Sequence, residues 1–340
     1  MPRILVGFIV SMLFMPGVQA GEGVAPVTGR PVHTYSIVAR DPHSGQLGVA
    51  VQSHWFSVGS LVPWARAGVG AIATQSFIEV RYGESGLDLM ASGLSATRTL
   101  DALLAADANP GVRQVAMIDA SGEVAVHTGE NCIEYAGHLT GDDFSVQSNL
   151  MISPGVQQAM ADAFQQATGT LAERMLAALE AAQAVGGDLR GKQSAAILVV
   201  DGTAGSRPRD GRLIDLHVED SPRPLVELRR LLRLHTAYAH MNQGDHALES
   251  GDVDAALHEY GQAEGLQPDN LEMKFWHAVS LVNAGRVDAA MPVFAGIFRD
   301  DARWRTLVQR LVQAGLLDAD AAVLARINTA GVKQEGRIND

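Results

Sequence analysis

Two short apolar, strand-like runs, Tyr35 to Ala39 and Gln46 to Gln52, flank Asp41-Pro42-His43-Ser44-Gly45, a cluster of turn formers. The pattern predicts an antiparallel hairpin. Val69 to Thr74 reads as a third strand, and Val112 to Ile118 with Glu123 to His127 flank a second hairpin signature, Asp119-Ala120-Ser121-Gly122. Phe144 to Met151, Ala195 to Val200 and Leu213 to Val218 complete the strand-like runs. Helical spacing occupies Gly86 to Ala91 and Ala96 to Ala106, the second with Ser95 as N-cap and Ala96, Leu100, Leu103 and Leu104 on one stripe. Two more helices run from Pro154 to about Ala184, interrupted near Gly169 and stopped by Gly186-Gly187. Strands joined mainly by hairpins, with helices between groups of them, predict an α+β fold with helices outside antiparallel sheets. A doubly wound sheet would follow each strand with a crossover helix, so a Rossmann nucleotide site loses support.

Beyond Pro222 and Pro224 the pattern is helical throughout, beginning with Leu225 to His240. Residues 247–257, ALESGDVDAAL, return 34 residues later as LVNAGRVDAAM at 281–291, and Tyr260 matches Phe294 in the same register. A Gly ends each first helix, an Ala pair opens each second one, and an aromatic fills the groove between them. This resembles the tetratricopeptide repeat family over about residues 235–326, including Pro268 at the end of the first unit. Each repeat needs neighbours to bury its faces, so the array is expected either to dock on the preceding domain, to be capped by helices 225–240 and 303–326, or to bind a protein partner.

Composition narrows the class. The 26 Lys+Arg against 38 Asp+Glu give a formal charge of −12, which argues against sequence-independent nucleic-acid binding. Arg3, the apolar run Ile4 to Met15, the break at Pro16-Gly17 and the small residues of Val18-Gln19-Ala20 predict a secretory signal cut after Ala20. The run is shorter than the ~20 residues that span hydrocarbon, so no stable membrane insertion is expected after cleavage and the destination is secreted or periplasmic. Cys132 is the single cysteine, which excludes an intrachain disulfide and a cysteine-rich zinc site. Residues 21–33 read as a linker or pro-segment, 34–221 as the first domain, 222–328 as the helical one and 329–340 as a tail.

The segments 34–41 (TYSIVARD), 48–53 (GVAVQS) and 62–75 (VPWARAGVGAIATQ) resemble a bacterial family known as domain of unknown function 1028. Further matches are Gln114-Val115-Ala116, the region of Cys132 and Gly137-His138, Gln147-Ser148-Asn149, residues 191–196 (GKQSAA) and residues 227–231 (ELRRL), so the resemblance spans roughly 33–235. That family is placed in the N-terminal nucleophile hydrolase superfamily. Membership implies a four-layer αββα sandwich of two antiparallel sheets, here followed by a small all-α tetratricopeptide-like domain. It also implies amide-bond hydrolysis by the first residue of the mature chain, whose α-amine is the general base. The chemistry is sound, because a hydroxyl needs a base to become a nucleophile and an α-amine titrates near ~8. Thr34 is the matching residue, and Arg66, Lys192 or Arg40 are candidates for the positive charge that would lower its amine pKa.

Signal cleavage after Ala20 leaves 13 residues ahead of Thr34, so a free amine requires a second cut at His33–Thr34. Ser36 shares the face of Thr34 but can never be N-terminal. Gln52-Ser53-His54, Gln75-Ser76 and Gln147-Ser148-Asn149 place amides and hydroxyls at strand ends, where they would donate to an oxyanion or clamp a small amide or peptide-like substrate, or satisfy turn backbone. Asn149 is retained among the catalytic candidates. The phosphate-loop spacing of Gly186 to Lys192 lacks the Ser/Thr for magnesium and joins helix to strand, and no H-E-x-x-H occurs, so no cofactor or metal is expected. A non-catalytic envelope protein that binds a ligand in the sandwich and a partner on the repeats is the competing reading.

Overall fold

The computed structural model describes residues 32–205 and 211–332; the stretch read as a signal, most of that read as a linker or pro-segment and most of that read as a tail lie outside the described residues. One sheet has six antiparallel strands in the order β10 (Arg212–Val218), β9 (Ser194–Val200), β2 (Leu47–Ser53), β1 (Thr34–Arg40), β8 (Phe144–Ser148) and β7 (Gly137–Gly141). The other has four, β3 (Pro63–Arg66), β4 (Gly70–Ser76), β5 (Arg113–Asp119) and β6 (Val124–Thr128). The sheets stack face to face, with Val38, Val49, Val51, Ala71, Ala73 and Ile118 in the core between them. Helices α1 (Arg81–Ala91) and α2 (Ala96–Ala106) cover the outer face of the smaller sheet through Tyr82, Leu87 and Leu100. Helices α3 (Val156–Gln166) and α4 (Leu171–Ala184) cover the larger one through Met160, Phe164, Met175 and Leu179. This four-layer αββα order explains why β2, β4 and β9 are buried at every position: each has a packed layer on both faces.

Local chemistry closes the turns. Asp41 Oδ1 accepts from the backbone N–H groups of His43 and Ser44 at 2.9 Å each, and Gly45 follows at φ +73°, so the first hairpin reverses as its sequence predicts. Ser95 is the N-cap of α2 but makes no capping bond with its side chain. The cap comes instead from the second hairpin, where Asp119 Oδ2 accepts from Ala96 N–H and Glu123 Oε1 from Thr97 N–H, both at 3.0 Å. Strands β3 and β7 are absent from the sequence reading for physical reasons. The first has four residues and starts at a proline, and the second is a largely exposed edge bounded by glycines, with no buried alternation to read.

Helix α5 runs unbroken from Pro224 to Glu249, past the expected end at His240. Its first half packs Leu225, Leu228 and Leu232 on the larger sheet, and its second half packs Ala237 and Met241 against α6 (Val253–Leu266) and α7 (Leu271–Asn283). One helix therefore belongs to both cores and joins the repeat array to the sandwich. The array continues with α8 (Val287–Asp300), α9 (Trp304–Gln313) and α10 (Ala321–Thr329); the stretch read as one cap over 303–326 is two helices.

Candidate functional site

The start of β1, the ends of β2, β4 and β8, and the starts of β5 and β9 all meet at one end of the sandwich, as the registers Thr34↔Ser53, Ser53↔Ser194, Tyr35↔Ser148 and Ser76↔Arg113 require. Into this end comes the segment ahead of β1. Val32 pairs with Ser76, its N–H donating to Ser76 O at 2.7 Å and its carbonyl accepting from Ser76 N–H at 3.1 Å. His33 is buried between them and Thr34, and its carbonyl accepts two bonds, from Ser53 Oγ at 2.5 Å and from Arg190 Nη2 at 2.8 Å. The Thr34 hydroxyl, wholly buried, donates to Val32 O at 2.9 Å.

Arg190 is held in place by Asp188, whose side chain is buried. Nε and Nη2 of the arginine reach the two carboxylate oxygens at 3.1 and 2.7 Å, a forked charge-assisted pair. Asp188 Oδ2 also accepts from His54 N–H at 3.1 Å, tying the loop before β9 to the end of β2. Two donors on one carbonyl, one of them a fixed cation, form the arrangement that stabilises an oxyanion.

The His33 ring belongs to a buried amide network whose proton directions are determined by backbone. Gln114 Nε2 lies 3.2 Å from Gly137 O and 3.0 Å from Ser148 O, both obligate acceptors, so Gln114 Oε1 is the accepting end. That oxygen takes Gln75 Nε2 at 2.7 Å and Asn149 Nδ2 at 2.8 Å. Asn149 must then present Oδ1 to His33 Nδ1, 2.9 Å away, which makes Nδ1 a donor. Burial is the main influence on the His33 pKa and lowers it, the hydrogen bond that the ring donates to Asn149 and the Asp188 charge oppose this, and the Arg190 charge adds to it; with Nδ1 donating, the lone pair of the neutral ring is on Nε2. On the other side, Gln75 Oε1 accepts from Ser36 Oγ at 2.6 Å, and Ser36 accepts from Gln147 Nε2 at 2.6 Å. Two non-glycine residues in the left-handed region, Ser76 at φ +67° and Leu150 at φ +53°, adjoin this network, as strained backbone at functional sites often does.

Of the residues singled out from sequence, Thr34, Ser53, Asn149 and Ser76 thus converge, and Gln75 joins through Gln114. Arg66 and Arg40 do not: each stands at the opposite end of its sheet, six residues along a strand and so about 20 Å away, paired with Asp88 and Asp143. Lys192 is exposed; the cation at the His33 carbonyl is Arg190, two residues earlier in the same loop. Gln52 pairs with Tyr35 and shares its helix-side face, where both amide atoms are buried without partners. Of His54, the backbone N–H bonds Asp188, while the ring Nδ1 is buried without a partner. Arg190, Asp188 and His33 carry no motif, because the Asp188–Arg190 pair is joined to His33 only through the tertiary fold. Half-buried Cys132 lies nearby, with burial raising its thiol pKa and Ser76 beside it opposing that rise. Among the described residues no group of three or more His, Cys, Asp or Glu side chains is placed to hold a metal ion.

The architecture is thus a four-layer sandwich with a buried polar cluster at one end, joined through the continuous helix α5 to helical repeats. Residues 34–228 match the family of unknown function DUF1028, and the chain belongs to that family. Residues 247–314 match the tetratricopeptide repeat. A DUF1028 protein from Silicibacter pomeroyi, known from a crystal structure, is similar at 28% identity and a TM-score of 0.54, over 60% of this chain and 89% of that one. No curated protein matches the chain.

Proposed function

We propose that the chain is an exported amide-bond hydrolase of the N-terminal nucleophile type, made active by a cut between His33 and Thr34. The observation that carries this reading is the His33 carbonyl, gripped by Ser53 and Arg190 and followed at once by a buried threonine hydroxyl. In the uncut chain the Thr34 Oγ adds to the His33 carbonyl carbon, the oxyanion forms between Ser53 and Arg190, and the C–N bond breaks as the nitrogen takes the hydroxyl proton. Water hydrolyses the resulting ester, leaving a His33 carboxylate and a Thr34 α-amine. That amine then takes the Oγ proton as an external amide is attacked, the same two donors serve the new oxyanion, and the ammonium returns its proton to the leaving amine. Water resolves the acyl-enzyme.

The test is intact mass and N-terminal sequencing of the exported protein, with Thr34→Ala alongside. A wild-type chain that begins at Thr34 and a variant that retains Val32-His33 support the reading. A wild-type chain that retains residues 21–33 overturns it, and favours the second reading, a ligand- or partner-binding protein. For that alternative the supporting observation is that Thr34 Oγ is engaged with Val32 O in the uncut chain, beside repeats of a type that binds other proteins.

A further inference from the structure

The leader that must leave also describes what can replace it. Val32 is held as a strand by both of its backbone hydrogen bonds to Ser76, with its side chain in the core between the sheets. His33 is held through its ring Nδ1 and through its carbonyl. We infer that, once the leader departs, this cradle is the acyl-side subsite, and that the substrate is a peptide-like amide with histidine on the acyl side of the scissile bond and a small apolar residue before it. The inference rests on the hydrolase reading above.

Three features select a neutral imidazole. The acceptor facing it, Asn149 Oδ1, cannot reverse its role, because Gln114 Oε1 requires the Nδ2 of Asn149, and two backbone carbonyls require the Nε2 of Gln114. A carboxylate in that place would meet an oxygen lone pair. A Lys or Arg side chain would bury a second cation beside Arg190, which sits 2.8 Å from the His33 carbonyl and already engages both carboxylate oxygens of Asp188, so these side chains are disfavoured as well. An apolar side chain would leave Asn149 Oδ1 buried and unpaired, and a site built around a hydrogen bond discriminates strongly against ligands that lack it. Val32, 3% exposed, leaves no room for a larger residue without displacing the inter-sheet core.

The experiment uses the full chain after its N-terminus has been sequenced, and a set of fluorogenic 7-amino-4-methylcoumarin amides, acetyl-Val-X with X being His, Ala, Phe, Glu or Lys. A chain that begins at Thr34 and hydrolyses the His member at least tenfold better in kcat/KM than each of the others supports the inference. The Asn149→Ala variant is expected to narrow that preference to within about threefold, a change that general loss of structure would not produce. A chain that begins at Thr34 but prefers another member, shows no preference, or leaves the whole set uncut overturns the subsite while the hydrolase reading stands. A chain that never loses its leader removes both.

Discussion

The guanidinium of Arg190 and the carbonyl of His33 lie 2.8 Å apart although 157 residues separate them in the chain. A fixed cation on the carbonyl ahead of Thr34 stabilises the charge that develops when that carbonyl is attacked, and such a donor typically contributes about 10²–10³ in rate. Arg190→Ala is therefore expected to slow the appearance of chain starting at Thr34 by about that factor, followed by mass spectrometry over time. Arg190→Lys retains the charge but loses the fork to Asp188, so its rate should fall between the two. Equal rates in all three proteins would remove Arg190 from the reaction.

Gln114 holds the buried amides in one arrangement. Replacing it with Leu strands the Nδ2 of Asn149, leaves the Nε2 of Gln75 only its 3.4 Å bond to Gln147 O, and removes a donor from the carbonyls of Gly137 and Ser148 and from Thr128 Oγ1. At about 1–3 kcal/mol for each buried group left unpaired, Gln114→Leu should cost at least about 3 kcal/mol in urea unfolding. A loss below about 1 kcal/mol would mean that the network relaxes around the gap.

The legible part of this protein is the part written in local pattern. Hairpins announce themselves by Asp and Gly between apolar runs, and the repeats by an interval of 34 residues, so the order of layers follows from sequence. Thr34, Ser53, Ser76 and Asn149 were also within reach, being polar residues where strands end. Arg190 was not, since nothing local distinguishes it from Lys192, and only the partners Asp188 and His33 give it a direction. The same holds for Arg66 and Arg40, whose charge is legible but whose position at the far end of the sheets follows from strand register. His33 was read as the last residue of a disposable segment, whereas burial makes it part of the core at the site.

That burial predicts a pH dependence of the uncut chain. The His33 pKa is lowered from its ordinary value of about 6.5, chiefly by desolvation. The unfolded chain therefore takes up a proton first as pH falls, so stability declines once pH drops below about 6.5 and levels off below the lowered folded-state value. Within that window the slope approaches about 1.4 kcal/mol per pH unit. Burial lowers His138 and His235 as well, and they contribute with the same sign. The informative quantity is thus the difference between Thr34→Ala and Thr34→Ala/His33→Gln in urea unfolding from pH 8 to 5. A shallower slope in the double variant is expected, and identical slopes would mean that His33 is not desolvated.

In the repeats, Gly244 sets intrinsic propensity against packing. It lies inside α5, where Ala is favoured over Gly by about 1 kcal/mol. A Cβ at this position would stand 2.7 Å from Tyr260 Cε1 and 2.9 Å from two further ring atoms. The ring cannot easily retreat, because it is 1% exposed and its hydroxyl donates to Asp245 Oδ1 at 2.6 Å, anchoring it to the residue next to the glycine. Overpacking of this kind costs about 1–3 kcal/mol, so Gly244→Ala should be net destabilising by about 1 kcal/mol despite the better helix former. In the second repeat the position 34 residues later is Ala278, and the aromatic in the register of Tyr260 is Phe294, which has no hydroxyl to tie it down. Tyr260→Phe should accordingly free the ring to shift, and the double variant should lose less stability than the two single losses combined. Strict additivity in thermal or urea unfolding would show that the ring is held by its packing rather than by Asp245, and that the hydroxyl has no part in excluding a side chain from position 244.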